Sequence, residues 1–156
     1  MKVRQIKKMC LLFGEGGKEE IFFRFLENSN RFKNRFPDWG IEMSHASGEA
    51  CSVILQKCIN FTSKRGFDLV ICFIDTDKLQ EHGSRSEEEK NRLEQLATEH
   101  RIKIIWQDPD HESELSRATN GRIKGKAGMR RRLENNLQAI SKSAFIRRIF
   151  AFFPNE

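Results

Sequence analysis

The 156-residue chain contains no tyrosine and no long apolar run. The missing tyrosine excludes a tyrosine nucleophile within this chain. A membrane-spanning helix needs about 18 or more consecutive apolar residues, so none is expected here. The basic opening MKVRQIKKMC is followed by neither a long apolar segment nor a small-residue cleavage site. We therefore expect no signal peptide.

Paired cysteine motifs are also missing. Cys10, Cys51, Cys58 and Cys72 each stand among apolar residues, without a CxxC pair and without histidines at the spacing of zinc ligands. This pattern is typical of reduced cysteines in a hydrophobic core. Because reduced thiols are usual in the cytosol, the chain is expected to be cytoplasmic.

Positive charge is concentrated near the end of the chain. Residues 117–156 hold ten Lys and Arg but only two acidic residues, whereas the remaining 116 residues hold 18 bases and 20 acids. A near-neutral body with a basic tail indicates a polyanionic partner such as nucleic acid, the alternative being a solvated basic face. The candidate contacts to nucleic acid are Lys124, Lys126, Arg130, Arg131 and Arg132.

Short apolar runs alternate with helical periodicity over the first two thirds of the chain. The strand-like runs cover residues 8–13, 41–44, 69–74 and 102–106. Apolar residues recur at helical spacing between them, for example over 18–28 and from Cys51 onward. This order predicts an α/β fold in which helices flank a mostly parallel sheet. Without an internal repeat or a long linker, residues 1–156 are expected to form one domain.

The other segments are less regular. Residues 29–39 are polar and contain Pro37, which predicts a loop, and the glycines among bases at 121–128 predict a mobile loop. Helical periodicity returns over 129–140 and 145–153. The second of these stripes is interpreted as core, with a subunit contact as the alternative. We expect a core of about residues 7–115 and a basic helical extension of about 116–156.

Acidic residues follow two of the predicted strands. Glu15 comes just after the first strand, and Asp75 and Asp77 follow the most apolar one. Ligands of parallel α/β sheets bind at the carboxyl ends of the strands, and residues two apart point to the same side. Clustered carboxylates repel one another unless a cation neutralises them. The pattern therefore predicts a site for Mg²⁺ or Mn²⁺.

Two motifs resemble the Toprim family of topoisomerases, primases and nucleases. They are the strand with Glu-Gly in LLFGEGGKEE and the strand with Asp-x-Asp in LVICFIDTDK. The resemblance covers about residues 7–115 and implies a metal-dependent site for phosphodiester chemistry. It implies that Glu15 is an acid/base group or a metal ligand through water, and that Asp75 and Asp77 are metal ligands.

The later segment IIWQDPDHESEL is similar to that of the OLD and RloB-like Toprim branch, which is associated with phage defence. This likeness implies that Glu112, or else Asp108, serves a second metal. Lys18 departs from the family pattern, which often has Thr or Ser there, and we expect Lys18 to contact a phosphate near the start of its helix.

These patterns favour an Mg²⁺-dependent nuclease that hydrolyses DNA or RNA with water, as a homo-oligomer or with an ATPase partner. One alternative is a non-catalytic module that binds nucleic acid. A receiver-like regulatory domain fits less well, because its paired acids follow the first strand. The turn at residues 14–17 lacks the Gly-Lys-Ser/Thr ending of a P-loop. His45 and His111 are interpreted as ordinary surface or core histidines.

Overall fold

The computed structural model describes residues 8–119 and 125–154. The strands are β1 (Lys8–Gly14), β2 (Trp39–His45), β3 (Leu69–Asp75) and β4 (Lys103–Gln107). The helices are α1 (Gly17–Asn28), α2 (Asn30–Arg35), α3 (Cys51–Ser63), α4 (Ser86–Glu99), α5 (His111–Thr119), α6 (Gly125–Asn135), α7 (Leu137–Ser141) and α8 (Ala144–Phe150). Turns of 3₁₀ helix cover Thr76–Arg85 and are interrupted at Gly83.

The four strands form one parallel sheet in the order β2-β1-β3-β4. Strand β1 lies inside the sheet, where Leu12 pairs in register with Met43 of β2 and with Ile71 of β3. Helices connect consecutive strands, as parallel pairing requires. The predicted α/β fold with a parallel sheet flanked by helices is confirmed.

Side chains that alternate along the strands divide the core into two layers. Cys10 and Leu12 pack on the layer that contains α1, α2 and the helices from α5 to α8. Leu11 and Phe13 face the opposite layer, which contains α3 and α4. All four cysteines are buried and free, as their apolar surroundings predicted. A sheet covered on both faces explains why its central strands are apolar throughout.

The C-terminal helices belong to the first of these layers. Phe145, Ile149 and Phe150 of α8 are at most 4 % exposed, and Phe153 beyond them is 3 % exposed. The Phe153 ring lies 4.6 Å from that of Phe36. The interpretation of this apolar stripe as core is therefore confirmed.

The predictions of loops at residues 29–39 and 121–128 are wrong in part, because each segment contains helical residues. Residues 30–35 form α2, because the Ser29 hydroxyl caps the helix by accepting a hydrogen bond from the Phe32 amide at 3.2 Å, and Phe32 is buried. Pro37 lies beyond the end of this helix. The glycine-rich segment is helical from Gly125 onward, because Met129 and Leu133 of α6 pack into the core. Residues 120–124 lie outside the described residues.

Among the residues that the structure describes, no helix is both long and apolar enough to cross a bilayer.

Candidate metal centre at the carboxyl edge of the sheet

The order of the strands creates a switch point between β1 and β3. The chain leaves β1 for α1 on one face of the sheet and leaves β3 for α4 on the other. Such divergence opens a crevice at the carboxyl ends of the two strands, where open α/β sheets bind ligands. Glu15 and Asp75 lie at this crevice, because each stands at the end of one of the two strands.

Three carboxylates converge there. Glu15, Glu19 and Asp75 each offer an oxygen, and these atoms lie within 4.8 Å of one another. Glu19 and Asp75 are only 4 % and 8 % exposed. Within residues 8–119 and 125–154 no other group of acids, histidines or cysteines meets this spacing. Three negative charges in so little water are stable only if protons or a cation neutralise them.

Glu19 was not among the residues that the sequence predicted for this site. The first turn of α1 directs Glu19 toward the crevice, and its Oε2 accepts a hydrogen bond from the Gly16 amide at 3.2 Å. Gly14 permits this approach, since a Cβ on Gly14 would lie 2.5 Å from the Glu19 Cβ. The one available signal was the four-residue spacing between Glu15 and Glu19 across a glycine turn.

Two oxygens in the crevice have no partner within the described chain. Glu15 Oε2 and Asp77 Oδ1 are buried and accept no hydrogen bond. The other Glu15 oxygen forms an ion pair with Lys78, whose ammonium also donates to the Glu49 carbonyl at 2.8 Å. Buried carboxylate oxygens without donors fit a hard cation that keeps several of its waters, such as Mg²⁺.

A buried chain of hydrogen bonds orients Asp75. The Gln107 amide nitrogen donates to Asp75 Oδ1 at 2.8 Å, and the Gln107 oxygen lies 2.5 Å from His111 Nδ1. His111 therefore carries its proton on Nδ1 toward Gln107. Burial lowers the pKa of His111 to about 3, so the ring is neutral. Gln107 therefore fixes the orientation of the Asp75 carboxylate at the cluster.

The pKa is raised at three acids of the crevice, namely Asp75, Glu19 and Asp77. Burial, followed by the nearby Glu15 carboxylate, to which only a protonated Asp75 can donate, and by the negative charge of Glu15, raises the pKa of Asp75 to about 9. Burial also raises the pKa of Glu19 and, with the charge of Asp110, that of Asp77. A proton on Asp75 therefore reduces the negative charge of the cluster in the absence of a cation, and a bound cation would displace that proton.

The group of three carboxylates lines a cavity of about 370 Å³. Asp77 and Glu112 line this cavity too, but their oxygens do not belong to the group. Strand β3 ends at Asp75, so strand alternation no longer applies to Asp77 in the 3₁₀ turns. The Glu112 carboxylate accepts a hydrogen bond from Lys18, which raises the pKa of Lys18. Asp108 instead accepts from the Thr76 hydroxyl at 2.9 Å.

The predicted basic contacts lie on or near α6. Lys126 lines the cavity, and its Nζ lies 2.8 Å from where a Cβ on Gly17 would stand. Arg130 and Arg131 are exposed and Arg132 is half-buried. Lys124 lies outside the described residues. The structure thus places one of the five predicted contacts, Lys126, at the cavity itself.

His45 is an exposed surface histidine, as one of the two interpretations had it, and its Nε2 lies 3.3 Å from a Glu20 oxygen. His111 is a core histidine, as one of the two interpretations had it.

Comparison with models of known protein families, with curated proteins and with solved structures found no match for this chain.

Proposed function

We propose that the chain is a metal-dependent phosphodiesterase of the Toprim type that hydrolyses DNA or RNA. The observation that carries this proposal is the convergence of Glu15, Glu19 and Asp75 at the switch point of the sheet. The unpartnered Glu15 oxygen supports it, because an ordinary buried carboxylate finds a donor.

Glu15 and Asp75 would hold an Mg²⁺ or Mn²⁺ ion, with Glu19 and Asp77 beside it. Glu112 of α5 lines the same cavity as this cluster and would serve a second ion only after releasing Lys18. When bound, such an ion neutralises phosphate charge and lowers the pKa of a coordinated water.

The chain's own residues supply phosphate binding and orientation. Lys126 and the first turn of α1 line the cavity, and both favour an anion there. Lys18 is close to the same place and would exchange Glu112 for a phosphate. Gln107 fixes the orientation of Asp75. Because the chain has no tyrosine, water is the simplest nucleophile, and Glu15 is the acid/base candidate.

A specific observation also favours the second candidate, a non-catalytic module that binds nucleic acid. Lys78 pairs with Glu15, and Lys18 pairs with Glu112. Two of the acids are thus compensated within the chain, which is how a site without a metal would be stabilised. A role in phage defence remains a proposal that rests on the resemblance to the OLD and RloB-like branch. An ATPase partner rests on the resemblance to Toprim nucleases, and a homo-oligomer is a further proposal.

Cleavage of labelled single- and double-stranded DNA and RNA, in Mg²⁺, Mn²⁺ or EDTA, tests the proposal. We expect cutting that needs the ion and falls more than about 100-fold in Asp75→Asn, because that variant loses a ligand. Glu88→Gln, an exposed site on α4, is the control and should cut normally.

Thermal unfolding gives a readout that does not depend on activity. Mn²⁺ should raise the melting temperature of the wild type and of Glu88→Gln but not that of Asp75→Asn, since only a folded site binds the ion. Cutting that survives in EDTA would refute the proposal. An unchanged melting temperature together with salt-sensitive binding and no cutting would favour the non-catalytic module.

A further inference from the structure

A groove lies between α1 and α6, next to the acidic cavity. It has a volume of about 820 Å³, more than twice that of the cavity. Its walls come from three elements, namely α1, α6 and the end of β2. The lining residues used below are Gly17, Ile21, Phe25, Lys126, Arg130 and Leu133.

The groove and the cavity are continuous. Gly17 and Lys126 line both of them. Gly17 is the first residue of α1 and Lys126 the second of α6, so both helices begin where the two spaces meet. The close approach of the Lys126 ammonium to Gly17 places a positive charge at this junction. A chain that lay in the groove would therefore lead directly into the carboxylate cluster.

Unpaired positive charge lies at the end of the groove next to the cavity. Lys126 and Arg130, one turn apart on α6, have no carboxylate partner among the described residues. On the opposite wall Glu20 forms an ion pair with Arg24 at 3.0 Å, and its other carboxylate oxygen lies 3.3 Å from His45 Nε2. Glu134 follows one turn beyond Arg130, at the far end. The groove thus favours phosphate over its first two helical turns and disfavours it beyond them.

The groove between these charges is apolar. Ile21, Phe25 and Leu133 line it, and the Phe25 ring is half-buried with the Phe22 ring stacked 6.3 Å behind it. An aromatic ring held in this way offers a surface on which a nucleotide base can stack. The bases of a duplex are already stacked on one another and enclosed by two backbones. Only unpaired nucleotides can use such a surface.

We propose that this groove binds one or two unpaired nucleotides of a single-stranded substrate, with phosphates on Lys126 and Arg130 and a base against Phe25. This inference rests on the proposed function, because it names the substrate class of the same site. It assigns the basic residues of α6 different roles: Lys126 and Arg130 contact the substrate in the groove, whereas Arg131 does not line it.

Binding in EDTA tests the inference without any need for cleavage. Fluorescence anisotropy would follow labelled oligothymidylate and oligouridylate of about 12 nucleotides, and a duplex of matched length. We expect single strands to bind more tightly than the duplex. Arg130→Ala should weaken single-strand binding at least about 5-fold and reduce the salt slope by about 0.7, as expected for one lost phosphate contact.

Arg131→Ala is the matched control, because Arg131 is the next residue on α6, is also exposed and does not line the groove. It should change single-strand affinity less than about 2-fold. Phe25→Leu, which keeps an apolar side chain without an aromatic face, should weaken single-strand binding about 5-fold and leave the salt slope unchanged. Its melting temperature shows whether the fold is retained.

Equal losses in Arg130→Ala and Arg131→Ala would overturn the inference, because they would indicate a diffuse basic surface. Tighter binding of the duplex, or no binding of single strands, would also overturn it. The binding assay and the cleavage assay test the two proposals separately. If the expected binding pattern is found but no ion-dependent cutting occurs, the groove is a binding site for single strands and the proposed nuclease activity is refuted. The preference between the two oligonucleotides identifies DNA or RNA.

Discussion

Two neighbouring features of the structure have opposite effects on the pKa of Asp75. Gln107 donates a hydrogen bond to it, which favours the carboxylate, while burial and the neighbouring Glu15 favour the protonated form. The second influence dominates, so the pKa of Asp75 lies at about 9 without a cation. A site of this kind binds a divalent ion at the expense of protons, and its affinity for the ion rises with pH.

This balance predicts how stability depends on pH in EDTA. A carboxyl whose pKa rises from its ordinary 3.8 to about 9 on folding binds more protons in the folded state between those values. Its contribution to stability is complete below about pH 4 and is lost as the pH rises toward 9. The slope for one proton is at most about 1.4 kcal/mol per pH unit.

Asp75→Asn should therefore gain stability over the wild type progressively from pH 6 to pH 9, as measured by urea unfolding in EDTA. The neighbouring acids are present in both proteins, so the difference between the two curves reports the contribution of Asp75. Glu88→Gln should follow the wild type at every pH. Parallel curves for the wild type and Asp75→Asn would contradict the raised pKa.

At the scale of elements, the site depends on how closely α1 approaches β1. The strand ends at Gly14 and the helix begins at Gly17, so the intervening turn is only two residues long. This short turn brings the first turn of α1 over the end of the strand. Glu19 reaches the cluster because Gly14, which lies against it, has no side chain that would collide with Glu19.

We predict that Gly14→Ala destabilises the fold by about 1–3 kcal/mol, because its Cβ would lie 2.5 Å from the Glu19 Cβ and 3.2 Å from the Phe23 ring. Gly16→Ser is the matched substitution in the same turn. Nothing lies within 4 Å of a Cβ on Gly16, and serine is favoured where a helix begins. Urea unfolding should place Gly16→Ser within about 0.5 kcal/mol of the wild type. Equal effects of the two changes would show that α1 does not approach β1 so closely.

At the scale of the whole molecule, the C-terminal helices complete one face of the sheet. Phe150 contacts the rings of Phe32 and Phe36, which follow α1 in the chain. Arg148 donates to Glu114 of α5 and to the Trp106 carbonyl of β4, each at 2.6 Å. The basic extension is thus packed on the core and holds α6 beside α1.

We predict that Phe150→Ala lowers the free energy of unfolding by about 3–5 kcal/mol, because it removes a fully buried aromatic side chain. Leu137→Ala is the control, since Leu137 lies in the same region but is 49 % exposed. It should cost less than about 1 kcal/mol. Chemical denaturation measures both values. A small loss in both variants would contradict the docking of α8.

Sequence patterns alone determined the parallel α/β class, the apolar strands and two of the three clustered acids. Glu15 and Asp75 were predictable because they stand at strand ends, where local pattern and the geometry of parallel sheets agree. The α2 helix was missed because the polar composition and Pro37 indicated a loop. Besides the local Ser29 cap, the helix depends on Phe32 packing against Phe150, a contact between distant parts of the chain.

Tertiary structure alone decided the rest of the site. Glu19 joins the cluster through the packing of α1 on β1, and Gln107 reaches Asp75 because β3 and β4 are neighbours. Lys126 reaches the cavity because α6 lies beside α1. In each case the position of a side chain depends on an element that is remote in sequence. Local periodicity describes how one element folds, whereas the partners of a side chain depend on which elements pack together.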